Sequence, residues 1–249
     1  MADLFGHIRL DEKACLQKTC ALTGAALDAL LSWRPRLMEA VTVSDASGAL
    51  YRARVIGIER GAARLLVFEE AGVIRNPSKE IYLLQALPEK ERMELIVQKT
   101  TELGVTHIIP FRSNRSISLE QREAKQSKAH RWQEISLKAA KQSRGFFIPR
   151  VLPCRGFEEA LAEVKDAGLK IALWERPNIS GIKEVLREME PDGMERCAVL
   201  SGPEGGFGED EMEKAASYGF TPVSLGERIL RAETAPIMAI GLLRYELDS

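Results

Sequence analysis

Little in this chain could hold a metal ion or build a disulfide framework. Its four cysteines, Cys15, Cys20, Cys154 and Cys197, are scattered over 249 residues, too sparse for the closely spaced pattern of a stapled domain. Its three histidines, His7, His107 and His130, form no HExxH, and no paired CxxC accompanies them, so no metal site is expected. Nucleophilic catalysis by a cysteine and a histidine has no local support but stays open at the level of sequence. Long hydrophobic runs are also missing. No stretch is long enough to span a bilayer, and Asp3, His7, Arg9 and Asp11 interrupt the start where a signal peptide would be apolar. The expectation is a soluble, cytoplasmic protein with no membrane segment.

What is present is enough apolar content, 45%, for a sizeable core. Up to about residue 72 the chain shows short alternating stretches, Ala40 to Val43, Leu50 to Ile58 and Arg64 to Phe68, separated by turn residues at Asp45 to Gly48 and Arg60-Gly61. This predicts a small β-rich domain over 1–72. Asn76-Pro77-Ser78 reads as a hinge, and a second domain over 79–249 alternates two patterns. Strands are expected at Ile81 to Leu84, His107 to Phe111, Leu169 to Leu173, Cys197 to Leu200 and Thr221 to Leu225. Helices are expected at Glu89 to Leu103, Gln121 to Ser143, Ile182 to Glu190, Glu209 to Tyr218 and Ala235 to Leu247. That alternation predicts an α/β sheet, mostly parallel.

Two loops near the end carry the most information. In LSGPEGGFGEDE (Leu200 to Glu211) an apolar strand breaks into Gly202, Pro203, Gly205, Gly206 and Gly208 before a helical pattern begins. Glycine at this density implies left-handed backbone or close approach by a ligand. A phosphate is disfavoured, because no Gly-Lys-Ser/Thr follows and the next helix opens with Glu209, Asp210 and Glu211. The expected ligand is neutral or cationic and held by backbone groups. In LGERILRAETAP (Leu225 to Pro236), Gly226, Arg228, Arg231 and Glu233 surround the apolar pair Ile229 and Leu230. Thr234 is placed as an N-cap, with Pro236 in the first helical turn. A loop with Ile-Leu between two arginines is expected to fold back and pack.

These two stretches, with KTTELGVTHIIPFRSNRS (Lys99 to Ser116) and WQEISLKAAKQS (Trp132 to Ser143), resemble the RsmE family of ribosomal RNA methyltransferases. GPEGG stands at Gly202 to Gly206, and the family pattern LGxRILRxETA stands at Leu225 to Ala235. The resemblance implies a SPOUT-type α/β domain tied in a trefoil knot, with S-adenosylmethionine (SAM) bound in it and methyl transfer to N3 of a uridine in small-subunit (16S) ribosomal RNA. It places cofactor contacts at Leu173, Ser201, Gly202, Pro203, Glu204, Gly205, Gly206, Leu225, Gly226, Ile229, Leu230, Arg231 and Thr234. It also implies a PUA-like N-terminal barrel, with YRARVIGIE (Tyr51 to Glu59) as one strand, and a homodimer through the last helix. In this alignment Arg34 is kept, whereas Asp28, Leu31 and Met38 stand where relatives usually have a His, an Arg and a Gly. Lys141 stands where they usually have Glu.

Charge supports a polyanionic partner. Net charge is −1, yet Arg112 to Arg150 holds ten Lys/Arg against three Asp/Glu, while Glu184 to Glu213 holds ten acids against two Arg. Candidate contacts to ribosomal RNA, or to the small ribosomal subunit, are Arg34, Arg112, Asn114, Arg115, Lys138, Lys141 and Arg144. N-methylation of uracil needs orientation and stabilisation of negative charge developing on the flanking carbonyls. Arg231 is the candidate for that charge, with Arg228 in reserve and Glu233 or water taking the proton. Arg228 and Glu233 could equally form a structural ion pair. A second reading of the whole chain is a SAM-binding factor in ribosome assembly that transfers nothing.

Overall fold

A computed structural model describes residues 8–32, 35–47, 49–73, 79–116, 129–143, 148–177, 179–188 and 195–247. The chain divides into two compact units, Met1–Asn76 with Ala140–Ile148, and Pro77–Ala139 with Pro149–Ser249. The expected hinge at Asn76 to Ser78, together with Trp33, Arg34 and Arg144, lies outside the described residues.

The first unit contains β1 (Ile8–Arg9), β2 (Thr19–Leu22), helix α1 (Gly24–Ser32), β3 (Ala40–Ser44), β4 (Ala49–Glu59) and β5 (Ala62–Val73). Its sheet runs β1-β3-β4-β5-β2, antiparallel except where β1 meets β3. Period-two alternation sends Val41 and Val43, then Tyr51, Ala53 and Val55, then Ala63, Leu65 and Val67 to one buried face against Leu27 and Leu30 of α1. Register shifts between Leu50 and Gly57 bend the long β4–β5 pair. Sequence pattern locates β3, β4 and β5 but not β1, β2 or α1. Strands this short cannot display a period, and α1 (GAALDALLS) is too uniformly apolar to show a helical stripe.

The second unit is a six-stranded sheet of β6 (Glu80–Ala86), β7 (His107–Phe111), β8 (Arg150–Val151), β9 (Leu169–Leu173), β10 (Arg196–Ser201) and β11 (Thr221–Val223). Its order is β11-β9-β10-β6-β7-β8, and every pairing is parallel. The near-continuous apolar strands are what a sheet covered on both faces requires. Ile81, Leu83, Ile108, Ile171, Cys197, Val199 and Val223 face a core closed by α2 (Lys90–Glu102), α3 (Ala129–Gln142), α5 (Ile182–Arg187) and α7 (Thr234–Leu247). Leu84, Ala86, Ile109, Phe111, Ala172, Ala198 and Leu200 face a second core under α4 (Phe157–Ala162) and α6 (Glu209–Ser217).

Helix α2 buries Met93, Ile96, Val97, Thr100 and Thr101, a single stripe at helical spacing. It stops at Gly104, whose φ of +87° suits glycine. There Gly104 and Val105 donate to the carbonyls of Thr101 and Thr100, and Arg244 of α7 donates to the Gly104 carbonyl. The helix start expected at Gln121 lies outside the described residues, and the helix is described from Ala129. Elsewhere some expected boundaries move, and α5 ends at Arg187 rather than Glu190. The last strand ends at Val223 instead of Leu225, because Ser224 turns to bond the Ser180 carbonyl and its hydroxyl bonds the Gly226 carbonyl.

Met38 has φ of +68° and is 61% exposed. Its N–H is committed to the Val55 carbonyl at 2.7 Å. A non-glycine residue there costs roughly 1–2 kcal/mol, and the side chain recovers little by burial. Met38→Gly should therefore raise stability by about 1 kcal/mol once glycine's larger unfolded entropy is subtracted. Urea midpoints for the two proteins test this, and a less stable glycine variant would refute it.

Candidate functional site

Neighbouring strands β9, β10 and β11 end side by side, and the loops leaving their carboxyl ends enclose an open cleft of about 340 Å³. This is where open parallel sheets place ligands. The floor is the glycine loop after β10. Ser201 is 1% exposed, and the Gly202 carbonyl accepts from the buried Gln85 amide at 3.3 Å. A Cβ on Gly202 would meet the Phe207 ring at 3.3 Å. That ring lies parallel to Phe111, with centroids 6.3 Å apart, which ties the loop to the core. Gly206 turns the loop at φ +64° and donates to the Pro203 carbonyl at 2.9 Å. Gly205 lies under Arg115, whose Nη1 donates to the Gly205 carbonyl at 2.8 Å.

The loop after β11 forms the opposite wall through Leu225, Ile229, Leu230 and Ala232. Glu175, from the loop after β9, accepts the Leu230 N–H at 3.1 Å. Ile229 is 86% exposed, so the expectation that this loop packs inward fails at that residue. Its side chain faces the open cleft, where there is no core to bury it.

Of the cofactor contacts expected from sequence, Leu173, Ser201, Gly202, Pro203, Glu204, Gly205, Gly206, Leu225, Ile229 and Leu230 line this cleft. Gly226, Arg231 and Thr234 are not among the lining residues and are exposed. Trp174, Glu175 and Arg176 line it without any sequence signal, since their loop lies far from both glycine stretches, and Phe207 joins them from within the glycine loop itself. Beside Phe207, Trp174 brings a second aromatic ring to the lining. The Arg176 guanidinium sits 5.3 Å above that ring and pairs with Glu209 at 3.2 Å.

The acidic turn after Gly208 is engaged in holding the loop. Glu211 is 4% exposed. Its Oε2 accepts the Gly208 N–H at 3.0 Å and its Oε1 the Asn114 N–H at 2.9 Å. Glu159 and Glu184 cap Gly156 and Gly181 in the same way, each three residues into a helix. Asn114, expected at the RNA, also donates its amide to Asp210 at 3.0 Å. Glu233 pairs with Arg92 at 3.7 Å, so the anticipated partner Arg228, which is exposed, is replaced by a residue on α2.

The remaining basic candidates divide. Arg112 and Lys138 are exposed. Lys141, which groups with the first unit, is held by Glu39 at 2.9 Å. Arg34 and Arg144 lie outside the described residues. Among the described residues no cluster of three His, Cys, Asp or Glu could hold a metal, and no helix is long and apolar enough to cross a membrane. Burial pushes the Cys197 thiol up to about 11, which removes it as a nucleophile at neutral pH.

If Glu211 holds the glycine loop through two buried N–H groups, Glu211→Ala should cost about 2 kcal/mol, because both donors lose their acceptor. Chemical denaturation measures this, and a loss below about 0.5 kcal/mol, the range of ordinary surface changes, would show the contacts to be dispensable.

The sequence matches the RNA methyltransferase domain family over residues 75–244. It is 32% identical over 196 residues to the ribosomal RNA small subunit methyltransferase E of Bacillus subtilis, spanning 77% of this chain and 75% of that protein. Among solved structures it resembles the ribosomal RNA small subunit methyltransferase E of Neisseria gonorrhoeae bound to S-adenosyl methionine, with a TM-score of 0.69 and 32% identity over 95% of each chain. It also resembles a Legionella pneumophila methyltransferase in complex with SAM, with a TM-score of 0.68, 27% identity, and coverage of 96% of this chain and 97% of that one. The mixed α/β fold with its parallel sheet is common to these proteins. On the family match and the identity to the Bacillus subtilis protein together, the chain belongs to the ribosomal RNA small subunit methyltransferase E family.

Proposed function

We propose that this protein is a SAM-dependent methyltransferase that acts on N3 of a uridine in small-subunit ribosomal RNA, in the cytoplasm. The observation that carries the reading is the cleft itself, walled by backbone of the GPEGG and LGERIL loops, with Glu175 and Glu204 on its lining and its two arginines, Arg115 and Arg176, already engaged by the Gly205 carbonyl and by Glu209. Carboxylates suit a sulfonium cation and oppose a phosphate. A Cβ at Gly205 or Gly202 would crowd Arg115 at 3.2 Å or Phe207 at 3.3 Å, and a floor presenting main chain fits a ligand held by main chain. Two relatives of similar fold were solved with SAM bound. The alternative of an idle assembly factor has no observation of its own.

The residues holding SAM are then the backbone of Gly202 to Gly206 and the apolar walls Leu173, Leu225, Ile229 and Leu230. When bound, SAM supplies an electrophilic methyl group. The chain supplies orientation and charge. Arg231, exposed beside the cleft wall, stabilises negative charge on the uracil carbonyls, with Arg228 in reserve. A guanidinium stays protonated and makes a poor base, so Glu233 or water takes the N3 proton.

The finer architecture belongs to the same proposal. Residues 79–249 form a SPOUT domain tied in a trefoil knot. Support comes from β10 entering between β6 and β9, both earlier in the chain, after which α7 packs on α2, β6 and β10. Such threading is rare. Residues 1–72 form a PUA-like barrel that grips RNA with Arg34, joined by Arg112, Asn114, Arg115, Lys138, Lys141 and Arg144 of the basic stretch. The protein pairs as a homodimer through α7, where Met238 and Tyr245 are 39% and 73% exposed.

Two substitutions test the assignments. Gly205→Val should abolish SAM binding in calorimetry while circular dichroism stays native, and unchanged affinity would move the cofactor elsewhere. Arg231→Ala should lower the rate on small ribosomal subunits at saturating SAM and RNA about a hundredfold, with little change in either affinity. If its main effect were lost SAM binding, Arg231 would be part of the cofactor pocket instead.

A further inference from the structure

Arg92, in the first turn of α2, is not among the residues lining the cleft. Its guanidinium nevertheless meets a carboxylate from each of the two loops that build it. Nη1 lies 3.3 Å from Glu204 of the glycine loop, and Nε lies 3.7 Å from Glu233 of the loop after β11. Glu89 completes the group at 3.8 Å. Glu204 is bound a second time, accepting the Glu89 N–H at 2.8 Å, at a helix end that favours anions. Glu233 is the more enclosed partner. Its side chain is 13% exposed, and Oε2 is buried with no hydrogen bond.

We infer that Arg92 is a positioning residue that holds the two walls of the cleft at their working separation. The inference rests on the assignment of SAM to that cleft. A loop with glycines at 202, 205 and 206 has many conformations, and ordering it carries an entropic cost. Pinning Glu204 to α2 meets that cost before the ligand arrives, so affinity is not reduced by it. The pair also needs a cation for a second reason. Without the Arg92 cation, Glu204 and Glu233 would bring two like charges to one site and push the loops apart. A planar guanidinium presents separate N–H groups to two carboxylates, whereas a lysine ammonium is a point charge.

The test uses the full-length protein and SAM alone as probe. Arg92→Gln should weaken SAM binding by calorimetry about tenfold or more, and Arg92→Lys should fall between it and wild type. The Michaelis constant for SAM should rise in step, while the rate at saturating SAM recovers most of its wild-type value, since ligand can close loops that the missing cation no longer holds. Melting temperatures, read on the same samples, separate positioning from plain stability. A variant that melts earlier yet binds SAM like wild type makes Arg92 a stabiliser only and overturns the inference, as does equal affinity in all three proteins. If wild type itself fails to bind SAM, the cofactor assignment falls instead. Arg92→Lys covers the case in which Arg92→Gln does not fold.

Discussion

The position of β10 governs everything else in the second unit. It pairs with β6 from Arg196 through Ser201 and with β9 from Cys197 through Leu200, and both of its faces are buried. A central parallel strand has its backbone groups satisfied on both sides, so the chain can change direction only where the strand ends. That end lies beside those of β9 and β11. Three loops therefore leave one edge of the sheet together, and the cleft follows from strand order. The glycine loop can be as unencumbered by side chains as it is because Phe207 and the Gln85 amide anchor it from below.

Around this cleft the carboxylates work chiefly as fasteners. Glu175 holds the loop after β11 through the Leu230 N–H, Glu211 holds Gly208 and Asn114, and Glu204 docks on the start of α2. Each accepts a backbone N–H, the kind of bond that fixes a loop without demanding a particular neighbouring side chain. Glu175 and Glu204 also give the lining negative charge, while its two arginines are paired, Arg115 with the Gly205 carbonyl and Arg176 with Glu209. Structural and electrostatic roles thus coincide.

Much of this is legible in the sequence because its cause is local. The β6, β7, β9 and β10 runs are buried on both faces, and Gly104 ends α2 where an αL residue is needed. The glycines of GPEGG and the apolar walls at Leu225, Ile229 and Leu230 announce themselves by composition. Contributions that depend on long-range register are not legible. Trp174, Glu175 and Arg176 reach the cleft only because β9 lies between β10 and β11, and no spacing along the chain encodes that order. Arg92 reads as one more surface charge in a helical stripe until α2 is placed beside both loops. Asn114 and Lys141 stand out in the sequence by charge and place, but only the fold shows their protein partners, Asp210 and Glu211 for Asn114 and Glu39 for Lys141.

A cleft made of main chain and fasteners tolerates substitution differently from the sheet of the first unit. At Met38 the backbone adopts the left-handed conformation for which glycine is suited. Conformation there is set by the Val55 bond and the strand it opens, so substitution alters cost but not shape. Lys141 is met by Glu39 in a local ion pair. Both residues fall in the first unit, where surface chemistry can change one residue at a time. Inside the cleft no such change is open. A side chain added at Gly202 or Gly205 meets Phe207 or Arg115 directly, and a lost carboxylate releases a loop. The asymmetry is therefore physical: the first unit carries exchangeable side chains on a sheet, whereas the cleft depends on backbone that is crowded at Gly202 and Gly205.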